Sequence, residues 1–223
     1  LIEKESVLTI GSFFSNNVNK LIVLDKAKEY GLYIPESYII TNKKDLIKIQ
    51  NNNPSKHLIT KAIHEGIYRP DVKNIYQYYS YVERISSEHI LSFPDYFYPS
   101  LVQIEVEKEL ELRIFYIHDY FFSMAIFSQD EKNSIVDFRK NNHRETPLKF
   151  VPYKLPKDIE LKLKQLMHSL KLNTGSIDMI LNKEGKYVFL EVNPCGQYGM
   201  TSMPCNYYLD RLIARLLCKQ IAL

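Results

Sequence analysis

The feature that most constrains the fold is a pair of apolar segments, GSIDMIL and KYVFLEV, which are separated only by NKEG. Both segments are rich in β-branched or aromatic residues, and a short polar connection that ends in glycine is typical of a tight turn. The pattern therefore predicts an antiparallel β-hairpin. Each predicted strand carries one acid in an otherwise apolar run, Asp178 in the first and Glu191 in the second.

The acids are expected to lie close together, because side chains alternate between the two faces of a strand. Glu191 and Asn193 should point the same way, with Phe189 behind them. The partner strand should present one face that is made of Ser176, Asp178 and Ile180. Two registers pair the apolar rows, and they place Asp178 opposite either Phe189 or Glu191. Both registers bring two carboxylates and an amide oxygen near each other.

This constellation favours a metal site. Like charges at such a separation raise each other's pKa unless a cation lies between them, and oxygen-only ligands suit Mg²⁺. The alternative is that Asp178 and Glu191 are surface acids at strand ends, paired with lysines. That alternative explains either residue alone, but it explains less well three polar ligands on facing apolar strands.

Composition excludes several classes of protein. The 223 residues are 45% hydrophobic and 25% charged, which is ordinary for a globular chain, and 29 basic against 26 acidic residues give a net charge of only +3. We therefore expect neither a nucleic-acid nor a membrane surface. The three cysteines match no zinc or redox spacing, and no signal peptide or long apolar run is present, so a cytoplasmic location is expected.

The order of the remaining patterns indicates an α+β protein. A smaller lobe extends to about residue 100, and an antiparallel sheet flanked by helices follows it. The predicted helices are KLIVLDKAKEY, NKKDLIKIQNN behind an asparagine cap, LPKDIELKLKQLMHSLKL and CNYYLDRLIARLLCKQ. The predicted strands include ESYIIT, HLITKAI, IYQYYSYVE and the long run from SLVQIEV to YFFSMAIFS, in which HD forms a turn.

Four basic residues stand in informative places. Lys61 lies inside an apolar strand, where an ammonium group is costly unless it meets an anion, and Lys20 begins the first helix. Arg113 lies in mid-strand with Glu111 on the same face, and Arg139 follows an acid in VDFRK. Taken singly, each residue is better explained by a salt bridge or by a side chain that reaches to water. No Walker-type glycine-rich loop is present.

Several segments in this order resemble the ATP-grasp superfamily, namely QIEVEKELELRIFYIHDYFFSMAI, VDFRK, GSIDMI and FLEVNPCGQYGM. The likeness is greatest to the ATP-grasp peptide maturases, also called graspetide or microviridin-type macrocyclases. SMAIFSQ, VPYKLP, LNTGSIDMI and MTSMPCNYYLDRLIA resemble the branch called grasp-with-spasm maturases in particular. The resemblance extends from about Asn16 onward and is most specific in the C-terminal third.

The resemblance implies an α+β ATP-grasp fold, in which a central and a C-terminal lobe clasp ATP. We expect residues 19–102 to form the central lobe and residues 103–223 to form the C-terminal lobe with the Mg-ATP site. Residues 1–18 would be a remnant of, or a connection to, an N-terminal lobe that is missing from this chain.

The resemblance also implies roles for individual residues. The phosphates of the nucleotide would be bound by Lys20 and Lys61. The adenine would meet a hinge segment made of Gln103, Ile104, Glu105 and Val106, and the ribose would meet the acid Glu111. Arg113 and Arg139 would act at the transferred phosphoryl group and the acyl substrate. Asp178, Glu191 and Asn193 would bind Mg²⁺ or Mn²⁺. The hinge reads QIEV where many relatives have an acid directly after the glutamine.

The implied activity is an ATP-dependent ligation within a ribosomally made precursor peptide, which has a leader and a core. Asp or Glu side chains of the peptide would be activated as acyl phosphates and joined to Thr or Ser hydroxyls or Lys amines. The segment from Lys44 to Ile49 and the tyrosine-rich strand would bind the leader. Whether the protein forms a homodimer is left open. The alternatives are an ATP-grasp ligase that adds amino acids to a terminus and a non-catalytic peptide-binding protein on the same fold.

Overall fold

The computed structural model describes residues 8–12, 18–63, 67–68, 78–79, 81–127 and 148–218. These residues divide into two compact units. Within the described ranges, the larger unit comprises residues 8–34, 108–127 and 148–218, and the smaller unit comprises residues 35–107. The α+β class that the sequence predicts is confirmed, because each unit combines an antiparallel sheet with helices.

The helices, in chain order, are α1 (Lys20–Glu29), α2 (Lys43–Asn52), α3 (Ser87–Ser92), α4 (Lys157–Ser169), α5 (Gly199–Cys205) and α6 (Leu209–Leu217). The strands are β1 (Ser37–Asn42), β2 (Leu58–Lys61), β3 (Ile67–Tyr68), β4 (Tyr78–Tyr79), β5 (Glu83–Ile85), β6 (Tyr96–Ile104), β7 (Lys108–Ile117), β8 (Tyr120–Phe127), β9 (Lys149–Tyr153), β10 (Thr174–Asn182) and β11 (Tyr187–Asn193). Of the tyrosine-rich strand IYQYYSYVE predicted from the sequence, residues 75–77 and 80 lie outside the described residues, while Tyr78–Tyr79 form β4 and Glu83 begins β5.

The larger unit is built on a five-stranded antiparallel sheet with the order β11-β10-β7-β8-β9. Two of its connections are the tight turns that the sequence predicts. His118 and Asp119, which join β7 to β8, both have positive φ (43° and 69°), as a two-residue hairpin with the right-handed strand twist requires. Gly185, with φ 76°, closes the β10–β11 hairpin, which is thereby confirmed.

One face of this sheet packs against α1 and α4 and forms the main core of the larger unit. Helix α4 begins after Pro156 and buries the apolar stripe predicted from its periodicity. The fully buried members of this stripe are Ile159, Leu163, Leu166 and Met167. Helix α1 contributes Val23, Leu24 and Ala27 to the same core.

The opposite face of the sheet is covered only in part. Helices α5 and α6 contribute Cys205, Leu209 and Leu216 to small apolar clusters on β7 and β8. The single helix predicted from Cys205 onward is wrong at its start, because Asn206 and Tyr208 adopt left-handed backbone conformations with φ 53° and 52°. These two residues separate α5 from α6.

The smaller unit contains a four-stranded antiparallel sheet with the order β1-β6-β2-β5, and β3 and β4 form a separate pair. Helices α2 and α3 pack on the four-stranded sheet through Leu46, Ile49 and Ile90. The asparagine cap predicted for α2 is present, since the Asn42 side-chain oxygen accepts a hydrogen bond from the Asp45 N–H at 2.8 Å.

The division into units differs from the expected boundary between residues 102 and 103. Residues 103–107 belong to the smaller unit, since β6 continues to Ile104, whereas α1 belongs to the larger unit because its apolar side packs there. The described segment 8–12 also lies on the larger unit. Its Thr9 carbonyl accepts hydrogen bonds from His118 at 3.0 Å and from Asn173 at 2.7 Å.

None of the helices within the described residues combines the length and the apolar character that a membrane crossing requires.

Candidate functional site

The two acids of the β10–β11 hairpin lie directly opposite each other. Asp178 pairs with Glu191 in the register of the hairpin, and on its other side Asp178 pairs with Arg113 of β7. Of the two pairings that the sequence allowed for Asp178, the structure therefore has the one with Glu191. Three adjacent strands thus carry an acid, an acid and a guanidinium in one row across the sheet.

The prediction that Phe189 shares a face with Glu191 is wrong. Met179 pairs with Phe189 while Asp178 pairs with Glu191, so Leu190 is an extra residue on β11. This β-bulge interrupts the alternation of side chains. Phe189 is consequently fully buried in the core beside Met179, whereas Glu191 lies on the opposite face with Asp178.

Each carboxylate is paired with a basic side chain. Nη1 of Arg113 donates to both oxygens of Asp178, at 2.5 and 2.6 Å, and Nζ of Lys20 lies 3.3 Å from Oε2 of Glu191. All four side chains are partly exposed, between 15% and 30%. The two positive charges compensate the two acids, which otherwise would repel each other across the strands.

The third predicted metal ligand, Asn193, ends β11 with a fixed amide orientation. Its Oδ1 accepts the N–H of Cys195 at 3.0 Å, and its backbone carbonyl accepts the N–H of Gly196 at 3.0 Å. Because the Cys195 N–H requires an acceptor, it identifies the carbonyl end of the Asn193 side chain. One lone pair of Oδ1 remains for another partner.

The turn after Asn193 packs so closely on β10 that only glycine fits at position 196. A Cβ atom there would lie 2.2 Å from both Cβ and Oγ of Ser176. Ser176 is 1% exposed and is the register partner of Asn193. The contact between Gly196 and Ser176 therefore holds the end of β11 in place.

The donor set fits a hard divalent cation. Two carboxylates and one amide oxygen are the ligands that Mg²⁺ takes from proteins, with its remaining positions left to water and phosphate. Among the residues that the structure describes, no group of three or more His, Cys, Asp and Glu side chains is placed to hold a metal ion. Carboxylate and amide oxygens suit Mg²⁺ or Mn²⁺ better than zinc, which prefers nitrogen and sulfur ligands.

Glu111 lies on the same face of the sheet and contacts a residue that sequence reasoning missed. Its Oε1 is hydrogen-bonded to Nζ of Lys108, and these side chains are only 16% and 6% exposed. In the sequence, Lys108 is one charge among several in EVEKELELR and carries no distinguishing signal. Only its burial in the fold sets it apart.

The smaller unit contains Lys61, at the end of β2. Lys61 is half-buried and lines a cavity of about 500 Å³ together with Thr60, Tyr81, Glu83 and Leu101. That the ammonium group of Lys61 meets an anion there stays a prediction.

The predicted hinge segment also lies in the smaller unit. Gln103 is 2% exposed, and its side chain donates to Oγ of Ser37 at 2.7 Å. The backbone N–H groups of Ile104 and Glu105 donate to the carbonyls of Glu36 and His57, so neither can donate to an adenine ring. Val106 is the residue of the predicted segment that follows these two engaged N–H groups.

The carboxylate of Glu105 receives two hydrogen bonds from Arg84, at 2.6 and 2.7 Å. The hydrogen bonds to Glu105 raise the pKa of Arg84 above its usual value. Arg139, the remaining predicted residue, lies outside the described residues.

A second polar cluster surrounds the β7–β8 turn. Asp119 accepts hydrogen bonds from Tyr116 and His168 and pairs with Lys164, all at 2.7 Å. Burial alone would raise the pKa of Asp119, but its contacts with Lys164, Tyr116 and His168 outweigh burial and lower that pKa to about 2. None of these residues belongs to the predicted site.

Three solved structures show what the fold is similar to. The macrocyclase MdnC from Microcystis aeruginosa MRC, bound with precursor peptide MdnA, is 28% identical, has a TM-score of 0.71, and matches over 91% of this chain and 61% of its own. A RiPP-associated ATP-grasp ligase from Chryseobacterium gregarium, in complex with ADP and a leader and core peptide, is 22% identical, has a TM-score of 0.72, and matches over 91% of this chain and 60% of its own. The ATP-grasp ligase PsnB, complexed with a phosphomimetic variant of a minimal precursor, Mg and ADP, is 16% identical, has a TM-score of 0.69, and matches over 96% of this chain and 63% of its own.

Comparison with protein-family profiles gives no match, and comparison with curated proteins gives none either. The structural similarities show that the chain has the ATP-grasp fold. They confirm the resemblance to the ATP-grasp peptide maturases, while the assignment to one branch of them stays a prediction. The chain spans about three fifths of the length of these solved relatives, with 60% to 63% covered.

Proposed function

We propose that this chain holds a magnesium and nucleotide site of an ATP-dependent ligase that closes macrocycles in a ribosomally made precursor peptide. The observation that carries the proposal is the position of Asp178 directly opposite Glu191, with Asn193 two residues further along the same strand. The two acids lie on the face of the sheet that α5 and α6 cover only in part, and each is paired with a basic side chain. Such a pair of acids suits a divalent cation that accompanies a nucleotide.

Asp178, Glu191 and Asn193 would hold Mg²⁺ or Mn²⁺, and the metal would supply positive charge that stabilises the charge developing on the phosphoryl oxygens. Lys20 and Arg113 now balance the two acids. With a divalent cation on the acids, the site carries a net excess of two positive charges, which matches a polyphosphate. The planar guanidinium of Arg113 suits a phosphate or carboxylate, and its Nε is buried without a hydrogen-bond partner among the described residues.

The remaining nucleotide contacts are proposals that follow from the resemblance. Lys61 would bind phosphate oxygens, and the ribose hydroxyls would donate to Glu111. The adenine ring would contact the backbone of residues 103–106. Because the N–H groups of Ile104 and Glu105 are engaged in the fold, Val106 would supply the donor to the ring.

The reaction would run in two transfers. First, a carboxylate oxygen of the peptide attacks the γ-phosphorus of ATP, the bond to the β,γ-bridging oxygen breaks, and ADP leaves. Second, a hydroxyl or amine of the same peptide attacks the acyl carbon, phosphate departs with the bonding electrons, and the nucleophile releases its proton to water. Arg113, and Arg139 by the resemblance, would neutralise the transferred group. Because both reactants belong to one peptide and are held together, proximity would lower the reaction barrier by several kcal/mol, on the order of 7–11 kcal/mol at best.

Two solved relatives support a peptide substrate. MdnC was crystallised with its precursor peptide, and the Chryseobacterium gregarium ligase with a leader and a core peptide. The leader surface expected at Lys44 to Ile49 falls on α2, whose outer side is exposed around Ile47. A homodimer is a separate proposal that the oligomeric state in solution would test.

Mass spectrometry of a co-expressed precursor tests the function. We expect a loss of about 18 Da per ring, since each ester or amide forms by condensation. An added residue mass would instead support a ligase that extends a terminus. Peptide binding without any ADP release would support a non-catalytic binding protein.

A further inference from the structure

Lys108 forms a nearly buried ion pair with Glu111, and the resemblance implies a role for the acid but none for the lysine. Nζ of Lys108 contacts Oε1 of Glu111, and the lysine side chain is 6% exposed. Lysines are rarely buried to this extent unless an anion holds them. The pair lies at the start of β7, where the larger unit begins again after residue 107.

A β-bulge brings the two side chains to one face. Lys108 pairs with Asn182 and Leu110 pairs with Leu181, so Glu109 is an extra residue on β7. In a regular strand, residues three positions apart would point to opposite faces. The bulge cancels this alternation and turns Lys108 away from the core and toward Glu111.

Glu111 needs this partner because its neighbours across the sheet are apolar. Its register partners are Ile180 of β10 and Ile126 of β8, which are 9% and 2% exposed. A carboxylate between two isoleucines loses much of its hydration, and a paired cation compensates for that loss. The ammonium group of Lys108 also restricts the rotamers of Glu111, since a side chain anchored at one oxygen has fewer conformations.

We propose that Lys108 is a positioning residue that holds the Glu111 carboxylate ready to accept the ribose hydroxyls of the nucleotide. The proposal rests on the proposed function, in which Glu111 faces the ribose. Lys108 engages Oε1, and a carboxylate has further lone pairs with which to accept a hydroxyl. Lys108 thereby acts on the selectivity for the sugar, through Glu111 and without touching the nucleotide.

The test compares the binding of ADP and 2′,3′-dideoxy-ADP by calorimetry in the wild type, Lys108→Met and Lys108→Arg. We expect the wild type to bind ADP at least ~10-fold more tightly, because hydrogen bonds to a charged group are strong. In Lys108→Met this ratio should fall to within about 3-fold through weaker ADP binding, with the dideoxy affinity unchanged. Lys108→Arg should retain most of the ratio, since it keeps the positive charge.

The matched control is Lys157→Met. Lys157 forms an ion pair of the same spacing with Glu160, at 3.0 Å, but its side chain is 84% exposed on α4. This variant should preserve both affinities. Because Lys108→Met removes an ion pair from a Glu111 side chain that is only 16% exposed, the double variant Lys108→Met with Glu111→Gln should recover the melting temperature but not the ribose selectivity.

The outcomes separate the two proposals. If Lys108→Met weakens both nucleotides equally, or keeps the wild-type ratio, Lys108 is a structural residue only and the inference is wrong. A wild type that binds ADP but does not distinguish it from the dideoxy analogue also overturns the inference and leaves the proposed function standing. A wild type that binds neither nucleotide contradicts the proposed function itself.

Discussion

Asp178 lies directly opposite Glu191 across the β10–β11 pair, and Arg113 binds both oxygens of Asp178 from the neighbouring strand. Asp178 therefore lies at the centre of a three-strand row, and Glu191 lies beside it on the edge strand β11. Arg113 and Lys20 compensate the negative charges of the two acids. A cation that displaces these contacts would make both basic groups available to an anionic substrate.

Glu191→Gln should abolish ATP turnover while the fold is retained. Glutamine keeps the shape of the side chain but loses the negative charge that a divalent cation requires. We expect the rate of ADP release with precursor to fall about 100-fold or more, as loss of several kcal/mol of charge stabilisation implies. Glu184→Gln is the control, because Glu184 lies in the turn of the same hairpin and is exposed. Turnover that persists in Glu191→Gln would contradict the metal assignment.

Gly196→Ala should disturb the proposed metal site without altering any of its proposed ligands. The added methyl group would lie 2.2 Å from Ser176, so the turn that follows Asn193 must move. We expect the Mg²⁺ concentration for half-maximal activity to rise ~10-fold, comparable to the loss of an outer-shell contact, and stability to fall by about 1–3 kcal/mol. Gly199→Ala is a close control, since nothing lies within 4 Å of a Cβ at that position. An unchanged Mg²⁺ requirement in Gly196→Ala would show that Asn193 is not a ligand.

Arg113→Lys should reduce turnover more than it reduces stability. Lysine keeps the charge and can still pair with Asp178, but it lacks the planar fork that fits a transferred phosphoryl group. We expect a fall in kcat of about 10²-fold, in the range measured for loss of one preorganised donor. Steady-state ADP release and urea unfolding of the same samples check both parts. The control is Arg211→Lys, because Arg211 lies on α6 against Tyr208 and is exposed.

Acid should destabilise the larger unit partly through Asp119. Its pKa is lowered in the folded protein to about 2 from a usual 3.8. A carboxyl group with a lowered folded pKa contributes stability above its unfolded pKa, and that contribution is lost as the pH falls through the folded pKa. We therefore expect the wild type to lose stability from about pH 4 down to about pH 2 through this group.

Asp119→Asn should remove this part of the pH dependence. Asparagine tolerates the positive φ of 69° at this position, so the turn itself should persist. Urea unfolding at several pH values would show the variant losing less stability than the wild type between about pH 4 and pH 2. If the free energy of unfolding changes equally with pH in the two proteins over that interval, the contacts with Lys164 and His168 do not lower the pKa of Asp119.

Local patterns in the sequence determined the elements that carry the site. The alternation of apolar residues and the NKEG connection predicted the β10–β11 hairpin, and the HD pair predicted the β7–β8 turn. The stripe on α4 and the Asn42 cap were predicted for the same reason. In each case the preference arises from residues within a few positions of each other, so the sequence expresses it directly.

Other features were decided only by the tertiary structure. The bulge at Leu190 turns Phe189 into the core and leaves Glu191 beside Asp178, and the bulge at Glu109 brings Lys108 to Glu111. A one-residue shift of pairing reverses the face of every following side chain, and it depends on which register packs both strands best. The sequence by itself therefore determined which strands carry acids, whereas packing between distant segments determined which side chains meet and which cation compensates each acid.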